Sequence, residues 1–230
     1  MLRQMFDAGS STFTYLIADE NKHQAVIIDP VHGQVDTYLT LLEELNLSLV
    51  TTFDTHTHAD HITGTGPLQD ATGCEIAGSH KSQANGINRF LHEGDCLQAG
   101  SVKLRFLETP GHTDDSGCLY HEGSPGCLFS GDTLMIRGSG RTDFQNGDSR
   151  QAYHSLINVL LKLPDNTRVF PGHDYRGMTE STIGEEKRHN PRLQLKSEEN
   201  FVEVMDQLNL PQPQKMHLAI PANLRCGRDE

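Results

Sequence analysis

The run Thr55-His56-Thr57-His58-Ala59-Asp60-His61 puts three imidazoles and a carboxylate into seven residues, directly after the apolar stretch Leu47–Phe53. A solvated loop has no reason to concentrate donors in this way, whereas a metal centre does. Three later segments extend the set: Pro110-Gly111-His112-Thr113, Ser130-Gly131-Asp132-Thr133 and Pro171-Gly172-His173-Asp174-Tyr175. The fold must therefore bring four distant loops to one place. Gly111, Gly131 and Gly172 each precede a candidate ligand by one residue, which suits tight turns at a crowded centre. Lone histidines such as His23, His32, His80, His92 and His121 read as surface or satisfied core, and His154 and His189 fall in helical stretches.

The pattern around these segments is α/β. Thr12–Ala18 and Ala25–Asp29 read as short strands joined by a polar turn. Gln34–Leu45 carries apolar residues at helical spacing, and Leu47–Phe53 follows as a strand. The first histidine run thus sits at a strand's carboxyl end, where α/β folds place ligands. A second cycle has strands at Val102–Leu107, Gly117–Tyr120 and Cys127–Ser130, a helix over Arg150–Leu163 with Ser149 as its cap candidate, and a strand at Arg168–Pro171. Strands followed by a helix, given twice, predict two packed sheets with helices outside and the site along one edge. From Met178 the chain turns polar and helical, with helices expected over Ile183–Asn190 and Ser197–Leu208 before Pro211 and Pro213. This segment, 178–230, reads as an extension over the site within a single domain covering 1–230.

Composition narrows the function classes. A formal charge of −12 argues against a nucleic-acid or anionic-membrane surface, and an anionic substrate would need a local basic pocket. Five cysteines with no C-x-x-C pair signal neither a thioredoxin-like site nor a cysteine zinc site, and reduced cytosol is the simplest compartment. No stretch approaches the roughly 18–20 apolar residues of a membrane span. The expectation is a soluble, cytoplasmic protein, or a mitochondrial matrix one if a targeting peptide has been removed from a eukaryotic precursor.

In the H-x-H-x-D-H run, alternate residues of an extended loop point the same way. His56 and His58 can approach one centre, which His112 can join, while Asp60 and His61 face a neighbouring one with His173. Asp132 can bridge or cap. Two adjacent metal positions fit this spacing.

These residues, in this order, resemble the metallo-β-lactamase superfamily over roughly residues 10 to 175. The resemblance implies an αββα sandwich of two mixed sheets with helices outside. Reaction type stays open at this level, since the fold hosts several chemistries. The segments THTHADHITG (55–64), IRGSGRTDFQ (136–145) and AIPANLRCG (219–227) are similar to the persulfide dioxygenase (sulfur dioxygenase) family. That resemblance implies one iron(II) per chain held by His56, His112 and Asp132, two histidines and a carboxylate that leave positions open for a persulfide sulfur and O2. It implies oxidation of glutathione persulfide with O2 and water to sulfite and glutathione. His58, Asp60, His61 and His173 then become groups that orient the ligands. Arg141, Tyr175, Lys215, Asn223 and Arg225 are candidates for holding the substrate's carboxylates, and Cys226 is expected near the substrate end. Some relatives carry Cys where this chain has Ser139. Related enzymes are often dimers, so a homodimer is expected, and sulfur transfer would need a separate rhodanese. Two other readings compete: a dinuclear zinc hydroxyacylglutathione hydrolase of the glyoxalase II kind, and a non-catalytic iron-containing sensor of oxygen or sulfur species.

Overall fold

Strand β2 (Thr12–Asp19) is buried at all eight positions, because one face meets an opposing sheet and the other meets helices. Phe13, Tyr15 and Ile17 point inward to the core between the sheets, and Leu16 and Ala18 point outward under the helical layer. The computed structural model describes residues 1–195, 197–213 and 215–228. Its first sheet runs β1 (Leu2–Asp7), β2, β3 (Gln24–Ile28), β4 (Ser48–Phe53), β5 (Glu75–Ser79) and β6 (Arg89–Leu91) in spatial order. The first three pair antiparallel, and β3 to β6 pair parallel. The second sheet lies in the order β12 (Ser181–Thr182), β11 (Arg168–Pro171), β10 (Cys127–Gly131), β9 (Gly117–His121), β8 (Val102–Glu108) and β7 (Cys96–Ala99). Its β10 and β11 are parallel and the other pairs antiparallel. The expected α/β sandwich of two mixed sheets is the fold observed.

Phe53, Phe106, Phe129 and Phe170, with Tyr15, fill the space between the sheets. Outside the first sheet, α1 (Val35–Glu44) buries Tyr38 and Leu42 against Leu16, Ala25 and Ile27, and α2 (Thr65–Thr72) adds Leu68. Outside the second, α3 (Ser149–His154) and α5 (Glu198–Asp206) bury Ala152, Phe201 and Met205 against Leu107, Tyr120 and Leu128. Two further helices are α4 (Ile183–His189) and α6 (Met216–Asn223). Among the described residues no helix is long and apolar enough to cross a membrane.

Two sequence expectations need correction. The single helix over Arg150–Leu163 is instead α3, a π-helical turn at Ser155–Val159 and a 3-10 turn at Leu160–Lys162. Its cap is Asp148, whose carboxylate accepts from the Arg150 and Gln151 backbone N–H groups, and not Ser149, whose hydroxyl bonds Thr142 at 2.7 Å. Ser149 is already the first helical residue, one position past the cap, so its hydroxyl is free to bond outside the helix.

Eight residues of β2 span roughly 23 Å at about 3.3 Å per residue, so Thr12 and Asp19 mark opposite ends of the sandwich. At the Asp19 end, its carboxylate accepts from the Ser101 N–H at 2.7 Å and the Asn21 N–H at 2.9 Å. This joins the first sheet to the turn between β7 and β8. The Thr12 end holds the histidines.

Candidate metal centre

Four strands end at the same edge. β4 runs into the loop bearing His56, His58, Asp60 and His61, while β8, β10 and β11 lead to His112, Asp132 and His173. Backbone hydrogen bonds lock these ends together: Gly117 N–H to Thr55 O, Gly172 N–H to Gly131 O, and Phe13 N–H to Gly172 O, each 2.8 Å. Glycine is required at two of the turns. Gly131 has φ +50, and a Cβ there would lie 2.5 Å from Thr55 Oγ1. Gly111 has φ +141, and a Cβ would lie 2.3 Å from the Ala152 backbone.

His56, His112 and Asp132 present donor atoms that all lie within 4.8 Å of one another. Their outer hydrogen bonds determine which nitrogen is free. The Thr55 hydroxyl donates to Asp29 Oδ2 at 3.0 Å, so its oxygen accepts from His56 Nδ1, also at 3.0 Å. His112 Nδ1 donates to the Arg141 carbonyl at 2.6 Å. Both protons therefore sit on Nδ1, and both Nε2 lone pairs are free. His173 Nδ1 donates to Asp132 Oδ1 at 2.7 Å, which leaves Oδ2 turned toward His112 Nε2 at 3.6 Å. Burial, reinforced by the nearby charge on His58, holds His56 well below the ordinary imidazole range. Burial alone would raise the Asp132 carboxyl, but His173 overrides it and keeps the group ionised well below the usual carboxylate range. Neutral imidazoles and an ionised carboxylate are the protonation states that a divalent metal needs.

The remaining members of the cluster bond mostly to one another. His173 is clamped between two carboxylates, Asp132 through Nδ1 and Asp60 through Nε2 at 2.9 Å, and these hold it protonated well above its ordinary range in spite of burial. Asp60 Oδ2 also accepts from His61 Nδ1 at 3.0 Å. The Thr12 hydroxyl lies 3.1 Å from His173 Nε2 and 3.3 Å from His61 Nδ1. His58 Nε2 donates to Asp29 Oδ1 at 3.1 Å, and Asp29 raises this imidazole to about 9 against the effect of burial. Among the described residues, two buried nitrogens of this cluster, His58 Nδ1 and His61 Nε2, have no hydrogen-bond partner. His58, Asp60 and His61 also form a trio within 4.8 Å, so the chain carries donors for a second ion.

Above the first trio opens a cavity of ≈ 600 Å³ whose wall includes His56, His112, Asp132, Ser139, Phe144, Gln145 and the segment Leu210–Pro213. Of the five substrate candidates, Arg141, Tyr175 and Lys215 line it. Arg141 is largely engaged elsewhere: it donates to Asp143 at 2.6 and 2.7 Å and to the Pro211 and Leu210 carbonyls at 2.7 and 3.2 Å, and it stacks over Phe144 at 4.1 Å. Only one of its five N–H groups is left. It holds the 210–213 segment as a strap over the cavity. Tyr175 is 72% exposed, with its ring nearly parallel to that of His173 at a centroid distance of 6.1 Å, and Lys215 has no carboxylate partner among the described residues.

Asn223 and Arg225, expected among the groups that hold substrate, do not line this cavity. Asn223 is buried beneath the histidine loop. Its amide donates to His58 O at 2.8 Å and His61 O at 2.9 Å, and its oxygen accepts from Thr63 N–H at 2.9 Å. Arg225 Nε turns back to the Arg228 carbonyl at 3.4 Å. Cys226 is likewise away from the substrate end: it is buried behind the loop against Ile76 and Ala84, and burial pushes its thiol up to about 11. The residue that sequence reasoning missed is Asp29. It is buried, sits at φ +50 and binds the Thr55 N–H as well as the two side chains above. The pair Asp29-Pro30 at the end of an apolar strand was the available signal.

Comparison with known proteins agrees with this geometry. Residues 8–173 match the metallo-beta-lactamase superfamily. The chain is 46% identical to "Persulfide dioxygenase ETHE1, mitochondrial" of Mus musculus over 99% of its own length and 89% of the relative's. The crystal structure of ETHE1 from Myxococcus xanthus superposes with a TM-score of 0.95 at 50% identity, covering 99% of this chain and 100% of that one. A hydroxyacylglutathione hydrolase of Idiomarina loihiensis is more distant, at 32% identity over 95% of this chain and 84% of the relative.

Proposed function

Because the chain belongs to the metallo-beta-lactamase superfamily and, within it, to the persulfide dioxygenases, we propose that it oxidises glutathione persulfide at a single iron(II) held by His56, His112 and Asp132. The persulfide dioxygenase activity itself follows from likeness over nearly the whole of both chains. The overall conversion is persulfide, O2 and water to thiol, sulfite and two protons, with both atoms of O2 and the oxygen of water ending on the terminal sulfur. When bound, iron supplies the redox reactivity toward O2 that no side chain provides.

The chain's residues supply position and charge. Asp29 and Thr55 fix the His56 ring, the Arg141 carbonyl fixes His112, and protonated His173 turns one Asp132 oxygen toward the trio. Lys215 brings a positive charge to the cavity wall of a chain with a net charge of −12, where the carboxylates of a glutathione carrier need one.

The observation that carries the mononuclear reading is His173. Both of its ring nitrogens are engaged by carboxylates, so the residue that would complete a second ion's ligand set is held as a charged hydrogen-bond donor. The His58–Asp60–His61 trio supports a second reading, a dinuclear zinc hydrolase of glutathione thioesters. Elemental analysis of anaerobically purified protein, paired with an oxygen electrode and glutathione persulfide, separates the two. About one iron per chain with iron-dependent O2 uptake and sulfite release is expected. About two zinc per chain with thioester hydrolysis, or equal persulfide turnover without O2, would overturn the proposal.

A further inference from the structure

Outside this centre, β5 and β6 end side by side in parallel register, with Ser79 opposite Leu91. The next residue of each strand is a histidine, so His80 and His92 emerge as neighbours, and their rings stack with centroids 4.3 Å apart at 25°. Glu108, the last residue of β8, reaches them from the other sheet. One donor atom from each of the three lies within 4.8 Å of the others. His80 Nδ1 lies 3.3 Å from Glu108 Oε1 and 3.3 Å from the Leu91 carbonyl, so an ion taken up here replaces the proton that Nδ1 directs at these oxygens, and the spacing to Glu108 is close to the tetrahedral edge of roughly 3.3 Å for zinc with ligands about 2.05 Å away.

We propose that His80, His92 and Glu108 form a second metal site, taking Zn2+ or a similar borderline ion, that clips the two sheets together. Two imidazoles and a carboxylate are a zinc donor set, and the fourth position is open to water. The site shares no residue with the first trio. Three features fit an exchangeable ion: His92 is exposed, the His80 and Glu108 side chains are 31% and 24% exposed, and Lys81 pairs with the other oxygen of Glu108 at 3.1 Å. Lys81 lowers the affinity by competing for the same carboxylate. The clip closes on the strand that runs on through Thr109 and Pro110 to His112, so metal at this rim stiffens the approach to the first trio without entering it.

The test is calorimetric titration of the iron-loaded chain with zinc chloride, with elemental analysis of the product. The native chain is expected to take up one zinc without losing iron, and its melting temperature should rise as it does so. His92→Ala should abolish that uptake and the thermal shift while leaving iron content and persulfide oxidation unchanged. Glu108→Gln should weaken zinc at least tenfold, the lower bound for disturbing a metal's supporting groups. Lys81→Ala should tighten it. If the native chain takes up no zinc beyond its iron, the proposal fails. If His92→Ala binds zinc as the native chain does, the ion sits elsewhere, in the His58–Asp60–His61 trio, and the proposal also fails. Neither failure bears on the iron-dependent reaction.

Discussion

Asn223 satisfies three backbone groups of the histidine loop at once, and nothing else among the described residues bonds to its side-chain amide. Replacing it by alanine leaves the His58 and His61 carbonyls and the Thr63 N–H buried with fewer partners, each a cost of about 1–3 kcal/mol before relaxation. Asn223→Ala is expected to lower unfolding stability by roughly 2–4 kcal/mol in urea melts and to weaken metal binding tenfold or more, since the loop it braces carries His56. An unchanged melt would remove Asn223 from this bracing role. The contrast with its neighbours shows what sequence carries about the site. His112 and Asp132 are legible because a ligand must be a particular residue type next to a turn, and the turn glycines print beside them; His56 is legible because it opens the dense histidine run. Asn223 acts through backbone groups far away in sequence, which leave no local pattern, and Asp29 leaves only the Asp-Pro pair at the end of its strand. A glutathione-binding role for Asn223 was an easy misreading, because an amide near a site looks the same whether it faces the ligand or the scaffold.

Elements were legible where one periodicity governed a whole segment. β2, β3, β4, β8 to β11 and α1 were read within a residue or two, since their apolar residues are dense or evenly spaced. β1, β6 and β12 lie at or near sheet edges and carry too few buried residues to stand out, and α6 contains Pro221, which argues against a helix until its packing is seen. The broken helix after α3 looks continuous in sequence because Ala152, Leu156 and Leu160, which pack in one cluster, stand four residues apart, the spacing of one α-helical face. Its start matters to the site: the Asp148 N–H donates to Gly111 O at 2.8 Å, and Ala152 packs where a Gly111 Cβ would be. Asp148→Ala removes the cap while keeping that backbone bond, and should cost about 1 kcal/mol in a thermal or urea melt. A loss well under half of that would mean that the tertiary packing of α3, and not its cap, fixes the turn before His112.

At the scale of the whole molecule, the two sheets are joined at both ends by different chemistry. The ligand end relies on histidines and carboxylates, while the far end relies on Asp19 and its bonds to the β7–β8 turn. Hydrogen bonds from Ser101 lead the interactions that lower the Asp19 carboxyl to about 2, against an unfolded value near 3.9. The folded form therefore binds fewer protons between these values. The Asp19 contribution is complete above about pH 4 and is lost as pH falls toward 2. Asp19→Asn should flatten the acid limb of the stability curve in that window and leave the limb above pH 5 parallel to the native one. An unaltered acid limb would place the native acid sensitivity elsewhere.

The Asn223 brace also sets an order of events during synthesis. Its amide closes on His58 O from 165 residues downstream, so a growing chain exposes every histidine of the run long before the brace exists. The backbone of the histidine run therefore reaches its final hydrogen bonding only after Asn223 has been added and folded beneath it.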